Sequence, residues 1–153
     1  MLHRHAFQQP ARCRPPLPRI ADATPLSANG YLRLRRLAAG LTEYELAERM
    51  CALYAATATR HPGVCLLDVT KAMSIVVGAV ELPGAVARRP ETIDALAALI
   101  PLDPDVYWQL AHGPAERHPR VCRGCGTSTH AQDMPSWATA TSCTRCDPDG
   151  EGL

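Results

Sequence analysis

The stretch Leu32-Arg33-Leu34-Arg35-Arg36-Leu37-Ala38-Ala39-Gly40-Leu41-Thr42-Glu43-Tyr44-Glu45-Leu46-Ala47-Glu48-Arg49-Met50 decides the fold class. Leu32, Leu34 and Leu37, with arginines between them, make a short basic amphipathic helix that starts near Ala28 or Asn29. Gly40 then stands where a helix ends on a left-handed residue. Thr42 and Glu45 are spaced as a capping box, the hydroxyl for one backbone N–H and the carboxylate for another. They open a second helix through Leu46, Ala47, Met50 and Leu53, running to about Ala58.

Further along, Arg60-His61-Pro62-Gly63 breaks the chain. A third helical segment spans roughly Leu66 to Val77 and stops at Gly78; its content of Val69, Ile75, Val76 and Val77 leaves a short strand as the alternative. With Gly78 setting the register, Leu67, Ala72 and Ile75 face the core, and Asp68, Val69, Lys71 and Ser74 face outward. Leu82-Pro83-Gly84 is a turn. Pro90 opens a fourth helix with Ile93, Leu96, Ala97 and Ile100 on its apolar face. Asp103-Pro104 starts a fifth, where Tyr107 and Trp108 close the helical core, and Gly113-Pro114 ends it.

Near the C-terminus, Cys122-x-x-Cys125 and Cys143-x-x-Cys146 are separated by 17 residues. Each C-x-x-C turn presents two thiolates on one side, and two such turns close a tetrahedron suited to Zn²⁺. Gly124 and Gly126 flank Cys125, where the turn calls for a positive φ. Four thiolates leave no open coordination position, so the metal holds a fold and does no chemistry. His130 is a spare donor that a complete thiolate set does not need, and Trp137 is a small core plug. Cys51 and Cys65 read as small core residues, and Cys13 as an exposed tail thiol.

The 153 residues carry a net charge of +1, unevenly spread. Residues 1–40 balance to +6, residues 41–113 to −4 and residues 114–153 to −1. The basic charge at the N-terminus points to an anionic partner. Residues 1–28 hold five prolines without periodicity and read as a disordered basic arm. No apolar run is long enough to span a bilayer, and no secretory leader is visible, so a cytoplasmic location is expected. No nucleophile–base pair, phosphate loop or open metal site appears, so neither an enzyme nor a small-molecule substrate is expected.

The Leu32–Met50 segment resembles the first two helices of a lambda-repressor-like helix-turn-helix domain, of the XRE or Cro/C1 type. Pro90 to Leu110 resembles the closing helices, so the likeness covers about residues 29–112. The chain departs from the pattern in three places. Residues between Met50 and Leu66 outnumber the usual tight turn, Ile75-Val76-Val77-Gly78 has valine where the family has an acid, and Glu43 replaces a phosphate-binding glutamine. The C-terminal half resembles short phage or prophage proteins that join such a domain to a ribbon beginning C-x-x-C-G. The resemblance implies sequence-specific binding of double-stranded DNA in transcriptional regulation. Thr70, Lys71 and Ser74 would lie on the recognition helix, and Arg33, Arg35 and Arg36 on backbone phosphates.

The sequence thus implies a mainly α protein. A basic Pro-rich arm (1–28) precedes a small helical bundle with a helix-turn-helix (29–113). A linker (114–120), a zinc ribbon with short strands (121–147) and an acidic tail (148–153) follow. The other function class is a protein–protein interaction adaptor, homodimeric or with a different partner. The acidic middle region favours it, because non-specific duplex affinity needs several cation–phosphate contacts.

Overall fold

A computed structural model describes residues 25–57, 66–131 and 135–149. Five α-helices follow in order: α1 (Ala28–Ala38), α2 (Glu43–Thr57), α3 (Leu66–Glu81), α4 (Pro90–Ala97) and α5 (Pro104–His112). A 3₁₀ turn over Ala115–Arg117 leads to the cysteine region. Most of the basic arm lies outside the described residues, as do Cys13 and Cys65.

The helix ends follow local chemistry. Ser27 caps α1 by accepting the Gly30 N–H. At the other end Gly40 has φ 73°, its N–H donates to the Leu37 carbonyl, and the Leu41 N–H donates to the Arg36 carbonyl. That pair of bonds is a Schellman stop. The capping box of α2 is formed on both sides: the Glu45 N–H donates to Thr42 Oγ1 at 3.1 Å, and the Thr42 N–H to Glu45 Oε2 at 2.7 Å. The Thr42 N–H, and after it the Thr42 hydroxyl, donate to the Glu45 carboxylate and hold it below its ordinary value. Asp103 caps α5 by accepting from the N–H groups of Asp105 and Val106, with Pro104 in the first turn.

α3 corrects the expected register and length. It runs three residues past Gly78, to Glu81. Gly78 is there for packing: a Cβ would sit 3.3 Å from the Glu43 carboxylate. Glu43 begins α2 and Gly78 lies near the end of α3, so the two helices form an antiparallel hairpin. The side of α3 that faces the core carries Thr70, Val77 and Glu81, with Met73 and Val80 packed at its margin. Leu67, Ala72 and Ile75, expected inside, are exposed.

The core gathers Tyr31, Leu32, Leu46, Met50, Ile93, Leu96, Val106 and Tyr107, all close to fully buried. Both buried tyrosines place their hydroxyls on backbone N–H groups, as burial requires. Tyr31 accepts from Asp103 at 3.0 Å and so ties α1 to the start of α5. Tyr107 accepts from Ala87 at 2.9 Å and ties α5 to the connection before α4. Cys51 is buried, as expected of a small core residue. No helix among the described residues is long and apolar enough to cross a membrane.

Candidate metal centre

Cys122, Cys125, Cys143 and Cys146 come together, with their four sulfurs all within 4.8 Å of one another. Cys125 Sγ and Cys143 Sγ are 3.7 Å apart. A tetrahedral ion with metal–sulfur bonds of about 2.3 Å has sulfur–sulfur edges of about 3.8 Å. The cluster therefore fits a four-coordinate metal ion. His130 is exposed and outside the cluster.

Backbone hydrogen bonds shape the two turns. The Gly126 N–H donates to the Cys122 carbonyl and the Cys146 N–H to the Cys143 carbonyl. The N–H groups of Gly124 and Cys143 both lie 3.4 Å from Cys122 Sγ. Donors of this kind stabilise a thiolate ligand. Only one of the two flanking glycines has a positive φ. Gly126 has φ 72°, whereas Gly124 is required by space, because a Cβ there would lie 2.8 Å from Cys146 Sγ. Expected strands do not form among the described residues; isolated bridges pair Val121 with Ser128 and Trp137 with Cys143. Trp137 lies under the Arg120 guanidinium, 4.0 Å from ring centre to Cζ, and Arg120 also donates to the carbonyls of Thr139 and Ala140. That cation–π stack closes the loop between the cysteine pairs.

Burial pushes the Cys122 and Cys146 thiols up. Burial also acts to raise Cys125, but hydrogen bonds from the Thr127 hydroxyl and backbone, and from Cys146 and Cys122, outweigh it and bring Cys125 down to about 7. The Thr127 hydroxyl lies 3.2 Å from Cys125 Sγ. Cys125 thus yields its proton more readily than Cys122 or Cys146.

The cysteine turns rest on the helical core. Val121, next to the first ligand, belongs to that core. Gly126 packs so tightly on α1 that a Cβ would come within 2.6 Å of Arg35 Cδ. The Arg35 guanidinium donates to the Cys125 carbonyl at 2.9 Å, to Thr127 Oγ1 at 3.3 Å and to the Pro101 carbonyl. Sequence reading did not identify Thr127 as a partner of the cluster. Its one signal is its position two residues past Cys125.

Most of the six residues that the resemblance assigns to DNA have partners within the fold or are buried in it. Arg35 faces the cysteine cluster. Arg36 is only 5% exposed; Nε and Nη2 each donate to a Glu81 carboxylate oxygen at 2.6 Å, and Nη1 donates to the Leu41 carbonyl. The hydrogen bonds to Glu81 raise the Arg36 pKa further. Thr70 is also 5% exposed and faces the core. Ser74 is half-buried, and its hydroxyl donates to the Lys71 carbonyl on its own helix. Arg33 and Lys71 alone of the six are exposed. The structure brings the four cysteines together. No protein family, curated protein or solved structure matches the chain.

Proposed function

We propose that this chain is a protein-interaction adaptor, in which Zn²⁺ on the four cysteines braces α1 and the helical hairpin offers the outer face of α3 to an apolar partner helix. One observation carries the reading. Opposite the buried Thr70, Val77 and Glu81, α3 exposes Ala72, Ile75, Val76 and Ala79, and Leu82 just beyond its end, with Asp68 and Lys71 as the only charges. A surface helix ordinarily turns charged residues outward, and a helix apolar all round is a buried one. Ile75 is 72% exposed, more than any other large apolar residue among those described. A convex stripe one helix wide, with rows three and four residues apart, matches the ridges and grooves of another helix.

Zinc suits the donor set because soft thiolates in a closed tetrahedron select it. Elemental analysis of protein purified without chelators is expected to give one zinc per chain; none would sink the metal assignment. The nucleic-acid reading retains Arg33 and Lys71, on separate helices. Anisotropy of a labelled duplex at low salt decides between the two readings. The adaptor reading expects no binding that depends on Lys71. Duplex affinity that falls steeply with salt and is lost in Lys71→Ala would replace it with DNA binding.

A further inference from the structure

The centre of the outer face of α3 is symmetrical about the midpoint between Ile75 and Val76. The two large residues flank that point, and the small residues Ala72 and Ala79 lie three positions beyond each. All four side chains are exposed. A second α3 laid antiparallel across a two-fold axis at this midpoint sets Ala72 against Ala79 of the second copy and Ile75 against its Val76. We infer that the occupant of this face is α3 of a second copy of the chain, in that register. The inference rests on the adaptor reading and names its partner.

Three properties of the face favour a like partner. First, the contact is isologous: each contact across the two-fold axis is made twice, Ala72 with Ala79 and Ile75 with Val76. Second, the charges do not collide. Lys71 lies 4.5 residues from the two-fold axis, so the two Lys71 side chains stand about 14 Å apart along the helices, beyond the screening length of about 8 Å. Glu81 does not reach the face, because Arg36 holds it on the opposite side. Third, the area is right for a reversible dimer. The exposed apolar surface of Ala72, Ile75, Val76, Ala79 and Leu82 is on the order of 400 Å², within the range of a functional patch. It is about half of what each partner gives to a standard interface. Pairing should therefore depend on concentration.

Sedimentation equilibrium of the full zinc-loaded chain, from about 5 to about 500 µM, tests this. The expected result is a monomer–dimer equilibrium that Ile75→Glu weakens by at least about 100-fold. Ile75 is already in solvent, so the variant should keep its circular dichroism and zinc content. Register is tested by oxidation in a Cys13→Ser, Cys65→Ser background. Ala72→Cys with Ala79→Cys should cross-link two chains, and Ala72→Cys alone should not. Within one chain the two positions are about 10.5 Å apart, past the reach of a disulfide, so any bond joins copies. A monomer throughout, a dimer indifferent to Ile75→Glu, or cross-linking by Ala72→Cys alone would overturn the inference. A monomer without Lys71-dependent duplex binding removes the homodimer and leaves the adaptor reading; Lys71-dependent duplex binding removes both.

Discussion

Replacing Arg35 with Ala should unsettle the metal centre from a helix about 90 residues away in sequence, since Arg35 and Thr127 are separated by 92 positions. The guanidinium donates to the carbonyls of Pro101 and Cys125 and to the Thr127 hydroxyl. Hydrogen bonds from a charged donor contribute roughly 1.5–3 kcal/mol each when buried. Arg35 is half-exposed, so water replaces part of that on truncation. A net loss of about 2 kcal/mol is the reasonable figure, and it lowers Tm by roughly 8 °C in a domain of this size. Losing a group that orients a metal ligand weakens metal binding by roughly 10- to 100-fold. Here Thr127 loses its anchor, and the bond from Thr127 to Cys125 Sγ loosens with it. Competition against a chromophoric chelator reads the zinc affinity, and differential scanning fluorimetry reads Tm. Arg33→Ala, an exposed change on the same helix, should stay within about 0.5 kcal/mol of wild type. If Arg35→Ala binds zinc within twofold of wild type and melts with it, the cysteine turns do not depend on α1 and the reasoning fails.

Arg36→Ala should destabilise by about 3–5 kcal/mol, because it leaves the Glu81 carboxylate buried without its partner; Arg36→Met with Glu81→Met should recover most of that in chemical denaturation, and equal loss in both variants would argue against it. Thr42→Ala should lower Tm by roughly 4 °C through the lost cap of α2. The Glu45 carboxyl is held below its ordinary value, so its contribution is present above the unfolded value and lost as pH falls through the folded one. The gap between Thr42→Ala and wild type should therefore shrink in acid, and thermal melts down the pH scale would read it; a constant gap would contradict the capping account. Zinc affinity should fall as pH drops, because protons compete with the metal for the thiolates: the raised Cys122 and Cys146 thiols are already protonated in the metal-free chain near neutrality, and Cys125 joins them below about 7. A flat profile between about pH 5.5 and 8 in chelator competition would exclude the thiolate set.

Features that depend on neighbours in sequence were legible in the chain. Thr42 with Glu45, Gly40, Pro90 and Asp103 mark helix ends by chemistry that acts within four residues, and the structure uses each one there. The four cysteines were legible for a similar reason, since C-x-x-C spacing fixes a turn before any tertiary contact exists. The outer face of α3 was not. Apolar residues surround that helix, so periodicity cannot say which side meets the core, and Gly78 looks like a stop until α2 is seen lying against it. Strands were expected around the cysteines from their spacing, yet ligand geometry constrains turns and leaves the segments between them as single bridges.

The arginines of α1 show why a charged run does not by itself define a surface. Arg33, Arg35 and Arg36 are close together in sequence, and helical rotation sends them in three directions. Arg33 meets solvent, Arg35 meets the cysteine cluster and Arg36 meets Glu81. The charge that suggested phosphate contact therefore joins parts of the fold. Arg36 fixes the end of α3 to α1, and Arg35 fixes α1 to the cysteine turns. Contacts thus run from the cysteine turns through Arg35 and Arg36 to the helix whose outer face is apolar. Under the adaptor reading, a metal on the four cysteines would complete the support that keeps α3 in place, with its core side satisfied and its outer side open to a partner.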